Sequence, residues 1–202
     1  MGALIGVVCP APNLPSEYFI MTILDKVIAA VTPTESQEER DSARAQARAA
    51  AAESPWLRRV LQHHQEIESA FAAVKDAPDA SGRRRAQQWL GTLLTGHSLA
   101  EEAVLYPAMA LSDQKAHATA AYTEQSGAKI NLAALEAMDP MGQDYLDKLE
   151  HVRGAVAHHV YEEESDWFPA LARQGDAALQ MRLSSRYSEE FERYMGADAA
   201  DL

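Results

Sequence analysis

Two stretches decide how this chain reads: "HSLAEEAVLYP" at residues 97–107 and "HVYEEESDWFP" at residues 159–169. Both follow H-x-x-x-E-E-x-x-x-[YF]-P. His97 corresponds to His159, Glu101 to Glu163, Glu102 to Glu164, Tyr106 to Phe168 and Pro107 to Pro169. An ungapped match at five of eleven positions marks an internal repeat. On a helix four residues make about one turn, so each histidine stacks on the glutamate that follows it. His97 and Glu101 share a stripe with Leu90, Leu93, Leu94 and Val104, and His159 and Glu163 share one with Leu149, Val152 and Val156. A carboxylate on an apolar stripe needs an explanation, because a buried charge is costly unless it is paired or binds a metal.

Working outward, the spacing predicts helices throughout. Ser54-Pro55 opens one with an N-cap residue and a proline at the first helical position. It runs to about Lys75 on a stripe of Leu57, Val60 or Leu61, Ile67, Phe71 and Val74, and His64 falls on that stripe. A second helix spans about Arg83 to Leu111. A third follows a Ser112-Asp113 cap to about Met138, and a fourth runs from Asp139-Pro140 to about Arg173. No stretch alternates with period two for long enough to argue a strand. The fold class expected is all-α, an antiparallel up-down four-helix bundle over residues 54–174. Extra helices flank it. Residues 21–53 read as an N-terminal helical extension, with a short helix at 22–31 and a poorly packed surface helix at 35–53. Residues 175–202 read as a C-terminal helix and tail. Residues 1–20 hold three prolines and no Lys or Arg, so they lack the positive start of a secretory signal. They are read as a disordered or non-native extension, with Met21 as the real start.

Composition narrows the partners. Apolar residues make up 47 % of the 202 and charged residues 24 %, ordinary for a globular chain. The net charge is −12. Binding phosphate backbones takes local positive charge, and the one basic cluster, "RRR" at 83–85, reads as a solvated helix start. No nucleic-acid partner is expected. The lone cysteine, Cys9, excludes an intrachain disulfide framework and a cysteine-based zinc or iron–sulfur site. No apolar run reaches the roughly 18 residues of a membrane span, and the expected location is cytoplasmic.

Two glutamates and three histidines on core stripes of three helices suggest a metal. A bundle core can host a dinuclear site built from inward-facing side chains. Imidazole with carboxylate suits iron ahead of zinc or manganese. Two divalent ions against two carboxylates leave positive charge that a bridging oxide or hydroxide would partly offset. His63, His117, His151 and His158 sit on wetter faces and are read as packing, surface or supporting residues. Glu102 and Glu164 lie about 100° round the helix from the stripe and are expected to face solvent or a supporting layer, without effect on metal.

The sequence resembles the hemerythrin-type HHE cation-binding domain family over roughly residues 55–173. The resemblance is carried by "LQHHQEIESAF", "GHSLAEEAVLYPAM", "YTEQSGAKINLAALE" and "AVAHHVYEEESDWFPAL". It implies a four-helix bundle around a non-heme di-iron centre. His64 and His97 would bind one iron, His159 the other, and Glu101 and Glu163 would bridge them. The third helix departs from the family, offering Glu124-Gln125 where relatives have Glu-His. That leaves the second iron's remaining position to Gln125, Tyr122, water or a vacancy. Relatives bind O2, respond to NO or iron, or react with peroxide, so a small oxidant or gas ligand is expected. No flavin or nicotinamide fingerprint is present, so electrons would come from a partner protein. The alternatives are a non-catalytic iron sensor or store, and a bundle without tight metal binding that acts through protein contacts.

Overall fold

The structure is a computed structural model and describes residues 35–196. The readings for residues 1–20 and 22–31 and for the start at Met21 lie outside the described residues, as does the tail beyond 196. Among the described residues the chain is all-helical, with no strand.

Six helices follow one another. α1 (Gln37–Ala50) opens with a capping box between Ser36 and Glu39 and ends in a 3-10 turn, Ala51–Glu53. α2 is Pro55–Asp76, with its proline in the first turn. α3 covers residues 80–111, as an α-helix Ala80–Ala100, a π turn Glu101–Leu105 and a last α-helical piece Tyr106–Leu111. α4 is Lys115–Ala134, followed by a 3-10 turn, Leu135–Ala137. α5 covers residues 143–172 in the same pattern as α3, with a π turn at Glu163–Trp167. α6 is Ala177–Met195, capped by Asp176, which accepts from the Leu179 amide.

The paired π turns follow from the repeat itself. A proline inside a helix has no N–H to give, and its ring clashes with the carbonyl four residues back. In both repeats the amide just before the proline, on Tyr106 or Phe168, instead bonds to the carbonyl five back, on Glu101 or Glu163. The turn widens and the helix passes the proline. Such bulges recur at functional sites.

α2 packs against α3, α5 and α6, α3 packs against α4 and α6, and α4 packs against α5. The core holds Leu57, Ile67, Phe71, Leu90, Leu93, Leu105 and Leu149, with Trp56 edge-on to Phe168 at 5.6 Å. Burying each such side chain contributes about 1.5–3 kcal/mol relative to water.

Four expectations are corrected. α1 is not poorly packed: Ala43, Ala47 and Ala51 are buried, and it lies across α2 and the π turn of α5. Its inner face is alanine, which lets two helices approach but makes no strong apolar stripe. The Ser54 side chain does not cap α2; its hydroxyl donates to Gln180 Oε1 of α6 at 3.0 Å, beside Trp56 Nε1 at 2.6 Å. The "RRR" cluster is solvated only at Arg85. Arg83 is buried and donates to the carbonyls of Val74, Lys75, Ala77 and Pro140, and Arg84 donates to those of Leu135 and Met138. Together they tie the α2–α3 link to the α4–α5 link. Finally, α5 starts at Gln143 behind Gly142, not at Asp139. No helix among the described residues is long and apolar enough to cross a membrane.

Candidate metal centre

The two π turns and the middle of α2 converge. His64, His97, Glu101 and Glu163 each place one ligand atom so that all lie within 4.8 Å of one another, and all four are buried. Glu163 spans the site: its Oε2 is 3.3 Å from His64 Nε2, and its Oε1 is 3.2 Å from His159 Nε2. Glu101 Oε2 is 3.2 Å from His97 Nε2, and its Oε1 is 3.9 Å from His64 Nε2. Two buried carboxylates thus sit between histidines from three helices.

Each of the three histidines is tied at its other nitrogen. His64 Nδ1 is 2.8 Å from Glu164 Oε1, His97 Nδ1 is 3.0 Å from the Tyr187 hydroxyl, and His159 Nδ1 is 2.8 Å from Glu124 Oε2. A metal-binding histidine characteristically gives its second N–H to a partner, which fixes the tautomer and the ring. All three rings here are held in that manner, with Nε2 turned inward. Several of the inward atoms are among the buried polar atoms left over. His64 Nε2, Glu101 Oε1, Glu163 Oε2 and Gln125 Oε1 are buried without a hydrogen-bond partner. Orphaned buried polar atoms are rare and call for an explanation; a cation among them satisfies all these lone pairs at once. The donor set therefore fits a metal.

The electrostatics agree. Burial works against charge on His64, but the Glu163 and Glu164 carboxylates outweigh it and raise its pKa to about 10. Burial likewise opposes charge on His159, yet Glu163 and Glu124 carry its pKa well up. His97 goes the other way, pushed well down by burial and then by His64 and His63. Burial raises Glu101, and the neighbouring Glu163 carboxylate adds to it. Burial also penalises Glu163, but His159 and His64 overcome that and hold it low. With no cation present, the directions of these shifts favour protons on His64, His159 and Glu101.

Tyr106 was missed from sequence. It is fully buried, and its hydroxyl lies 2.9 Å from Glu163 Oε1, 3.2 Å from Glu101 Oε2 and 3.2 Å from His159 Nε2. Gln125 is brought to the same spot, its amide donating to Glu101 Oε2 and to the Tyr106 hydroxyl. Tyr122 is not. It is 39 % exposed, its hydroxyl donates to the Glu102 carbonyl at 2.6 Å, and only its ring edge meets Tyr106. Its candidacy as a ligand is corrected: the phenol lies on the outside of the cluster. Glu102 is half-buried and paired to Lys129 at 2.6 Å. Glu164 does not face solvent; it is buried between His64 and Arg44 of α1. His63 is buried against α6, His158 pairs with Glu35 at 3.0 Å, and His117 stacks on Trp167. Beside the cluster is a cavity with about 10 Å³ of room for the centre of a water-sized molecule. Its walls include Ile67, Leu94, Ala128 and Val156 together with His97, Ser98, Gln125 and His159.

A family model described as Hemerythrin HHE cation binding domain matches residues 57–171, more than half of the chain. The chain belongs to the hemerythrin HHE family. A curated relative, a DNA nickase of Nostoc sp., is 28 % identical over 135 residues, covering 65 % of this chain. The chain spans only 35 % of that relative's length. No solved structure matches. The hemerythrin HHE match begins inside α2 and ends inside α5, so α1 and α6 lie outside it. Those two helices nonetheless supply Arg44 and Tyr187, which stand directly behind the site. Arg44 had no sequence signal, since any exposed-looking helix carries arginines. Tyr106 had one: an aromatic–proline pair repeated in mid-helix, directly after the glutamates.

Proposed function

We propose that this hemerythrin HHE protein holds a non-heme di-iron centre that binds or reacts with a small oxidant such as O2, NO or peroxide. The observation that carries the reading is the trio of histidines, each anchored at Nδ1, with His97 Nε2 turned to buried Glu101, His159 Nε2 to buried Glu163 and His64 Nε2 to both. His64 and His97 would hold one ion and His159 the other, with Glu101 and Glu163 between them. Tyr106 and Gln125 would lie beside the second ion, since α4 brings Gln125 rather than a histidine to Glu101 and Tyr106. The mixture of imidazole and carboxylate favours iron over zinc or manganese. When bound, the ions supply Lewis acidity and redox chemistry for a small ligand.

The chain's own residues shape that chemistry. A cavity with about 10 Å³ for a molecule's centre beside His97, Gln125 and His159 has room for something the size of water or a diatomic. The Tyr106 hydroxyl and the Gln125 amide place hydrogen-bond donors beside Glu101, where they hold its carboxylate in place. The reading includes an up-down four-helix bundle formed by α2 to α5, an electron-donor protein and a cytoplasmic setting. Short links between helices that pack together support the first of these. The activity in the Nostoc relative's name is not carried over: Arg83 and Arg84, the heart of the one basic cluster, are engaged with carbonyls, and the chain is net −12.

Metal analysis of the full chain purified without chelators tests the reading, followed by turnover of peroxide and O2. About two irons per chain are expected. Near-zero metal overturns the reading in favour of a bundle working through protein contacts. Iron without any small-molecule reaction or binding selects the sensor or store.

A further inference from the structure

α6 lies outside the family match, yet it comes to the metal site at a particular point. The Tyr187 side chain is fully buried, with its hydroxyl 3.0 Å from His97 Nδ1 and 2.8 Å from His63 Nδ1. The approach is set by Gly96, the residue just before His97. A Cβ there would lie 3.0 Å from Met195 Sδ and 3.1 Å from Tyr194 Cδ1, so a bare backbone is what lets α6 come this close. Phe191 of the same helix stacks on the His63 ring, with centroids 4.0 Å apart. One helix therefore holds both the hydroxyl and the histidine behind it.

The directions of the hydrogen bonds follow. If His97 Nε2 offers a lone pair to the cluster, its proton sits on Nδ1. That N–H donates to the Tyr187 oxygen. The Tyr187 O–H is then free to donate to His63 Nδ1, which places the His63 proton on Nε2. His63 Nε2 is buried with no partner. The chain His97–Tyr187–His63 thus runs in one direction, away from the metal site.

We propose that Tyr187 is a positioning residue of the metal centre, whose oxygen accepts the His97 Nδ1 proton and fixes the imidazole so that Nε2 faces Glu101. α6 is then a working part of the site. This rests on the metal-centre reading. Supporting partners of metal-bound histidines are typically worth about 10–100-fold in affinity.

The test uses the full chain loaded with Fe2+ for release to a chelator, and with Co2+ for its visible absorption. Tyr187→Phe keeps the ring and removes only the hydroxyl. It is expected to release Fe2+ about tenfold faster or more and to shift the Co2+ bands. Leu183→Ala alters buried packing on the same helix but touches neither the hydroxyl nor His63, and should match the parent in both. A folded Tyr187→Phe variant that matches the parent in release and spectrum overturns the proposal. Should that variant fail to fold, the parent loaded with Zn2+ decides by NMR of the His97 ring: a slowly exchanging proton on Nδ1 supports the proposal, and a ring proton on Nε2 or a freely exchanging one on Nδ1 overturns it. A parent protein that takes up neither metal overturns the underlying metal-centre reading instead, which is a different result.

Discussion

Replacing Glu164 separates the two accounts of this site most sharply. By helical periodicity it lies off the core stripe, and its removal should leave metal binding alone. The structure instead puts it 1 % exposed in a line of four charged side chains. Glu68 bonds to Arg44 at 2.6 and 3.0 Å, Arg44 Nε bonds to Glu164 at 3.0 and 3.2 Å, and Glu164 Oε1 is 2.8 Å from His64 Nδ1. Glu164→Ala does two things. It frees the His64 ring, which should weaken metal binding about 10–100-fold, or ~1.4–2.7 kcal/mol. It also strips a partner from buried His64 and from Arg44. Breaking a buried pair costs about 3–5 kcal/mol, and the lower end applies because Arg44 keeps Glu68 and some contact with water. The pH window has a definite sign. Glu164 is held below the ordinary carboxylate range: burial opposes its charge, but His64 and Arg44 outweigh that. Its contribution is present above its unfolded pKa and lost as pH falls through the lowered one. His64 is raised to about 10, so its contribution is present below its unfolded pKa and lost as pH rises through about 10. The metal-free variant should therefore show its greatest deficit in Tm at mildly acidic pH, between the unfolded values of 4.5 for Glu164 and 6.5 for His64, shrinking toward both extremes. Glu164→Gln keeps an acceptor for His64 and the same volume, and should lie between Ala and the parent. Chelator competition and thermal melts measure both effects. A folded Glu164→Ala protein with the parent's release rate and the parent's metal-free Tm would refute the reasoning.

Glu101→Ala and Glu163→Ala should each lose bound metal sharply by elemental analysis, whereas Glu102→Ala, which removes only a pair with Lys129, should not; equal loss from all three would mean the inward register is wrong. Gln125→His puts a stronger donor where the amide now meets Glu101 and Tyr106. Slower release to a chelator, an altered optical spectrum and reduced reactivity toward peroxide or O2 are expected, and parent-like behaviour in all three would remove Gln125 from the site. Stripping the metal should lower Tm, since a ligand bound only to the folded state stabilises it. Reloading near neutral pH should release protons, because coordination needs deprotonated ligands and the metal-free surroundings favour protons on His64, His159 and Glu101. Calorimetry in buffers of different ionisation heat counts them, and zero release would refute the protonated metal-free centre.

What the sequence determined by itself was the set of residues on the inner stripes of the helices. A helical face is a local property: 3.6 residues per turn and apolar neighbours suffice to turn His64, His97, Glu101, His159 and Glu163 to one side. The all-helical class follows from the same periodicity. Tyr106 escaped it because five steps of a regular helix place it about 140° round from Glu101. Only the π turn, with its amide bonding five residues back, returns it to the Glu101 face. The cause was visible in Pro107 and Pro169, but a proline in mid-helix can kink, break or widen it, and the surrounding packing selects among these. Glu164 and His63 escaped for a different reason. Both stand off the inner stripe, and their wetness depends on what lies over them. α1 covers the one with Arg44, and α6 covers the other with Tyr187 and Phe191. Which distant segment covers a flank is set by complementary surfaces more than a hundred residues apart in the chain, such as Arg44 with Glu164 or His63 with Tyr187. No periodicity within one helix encodes that, so only the tertiary structure decided it.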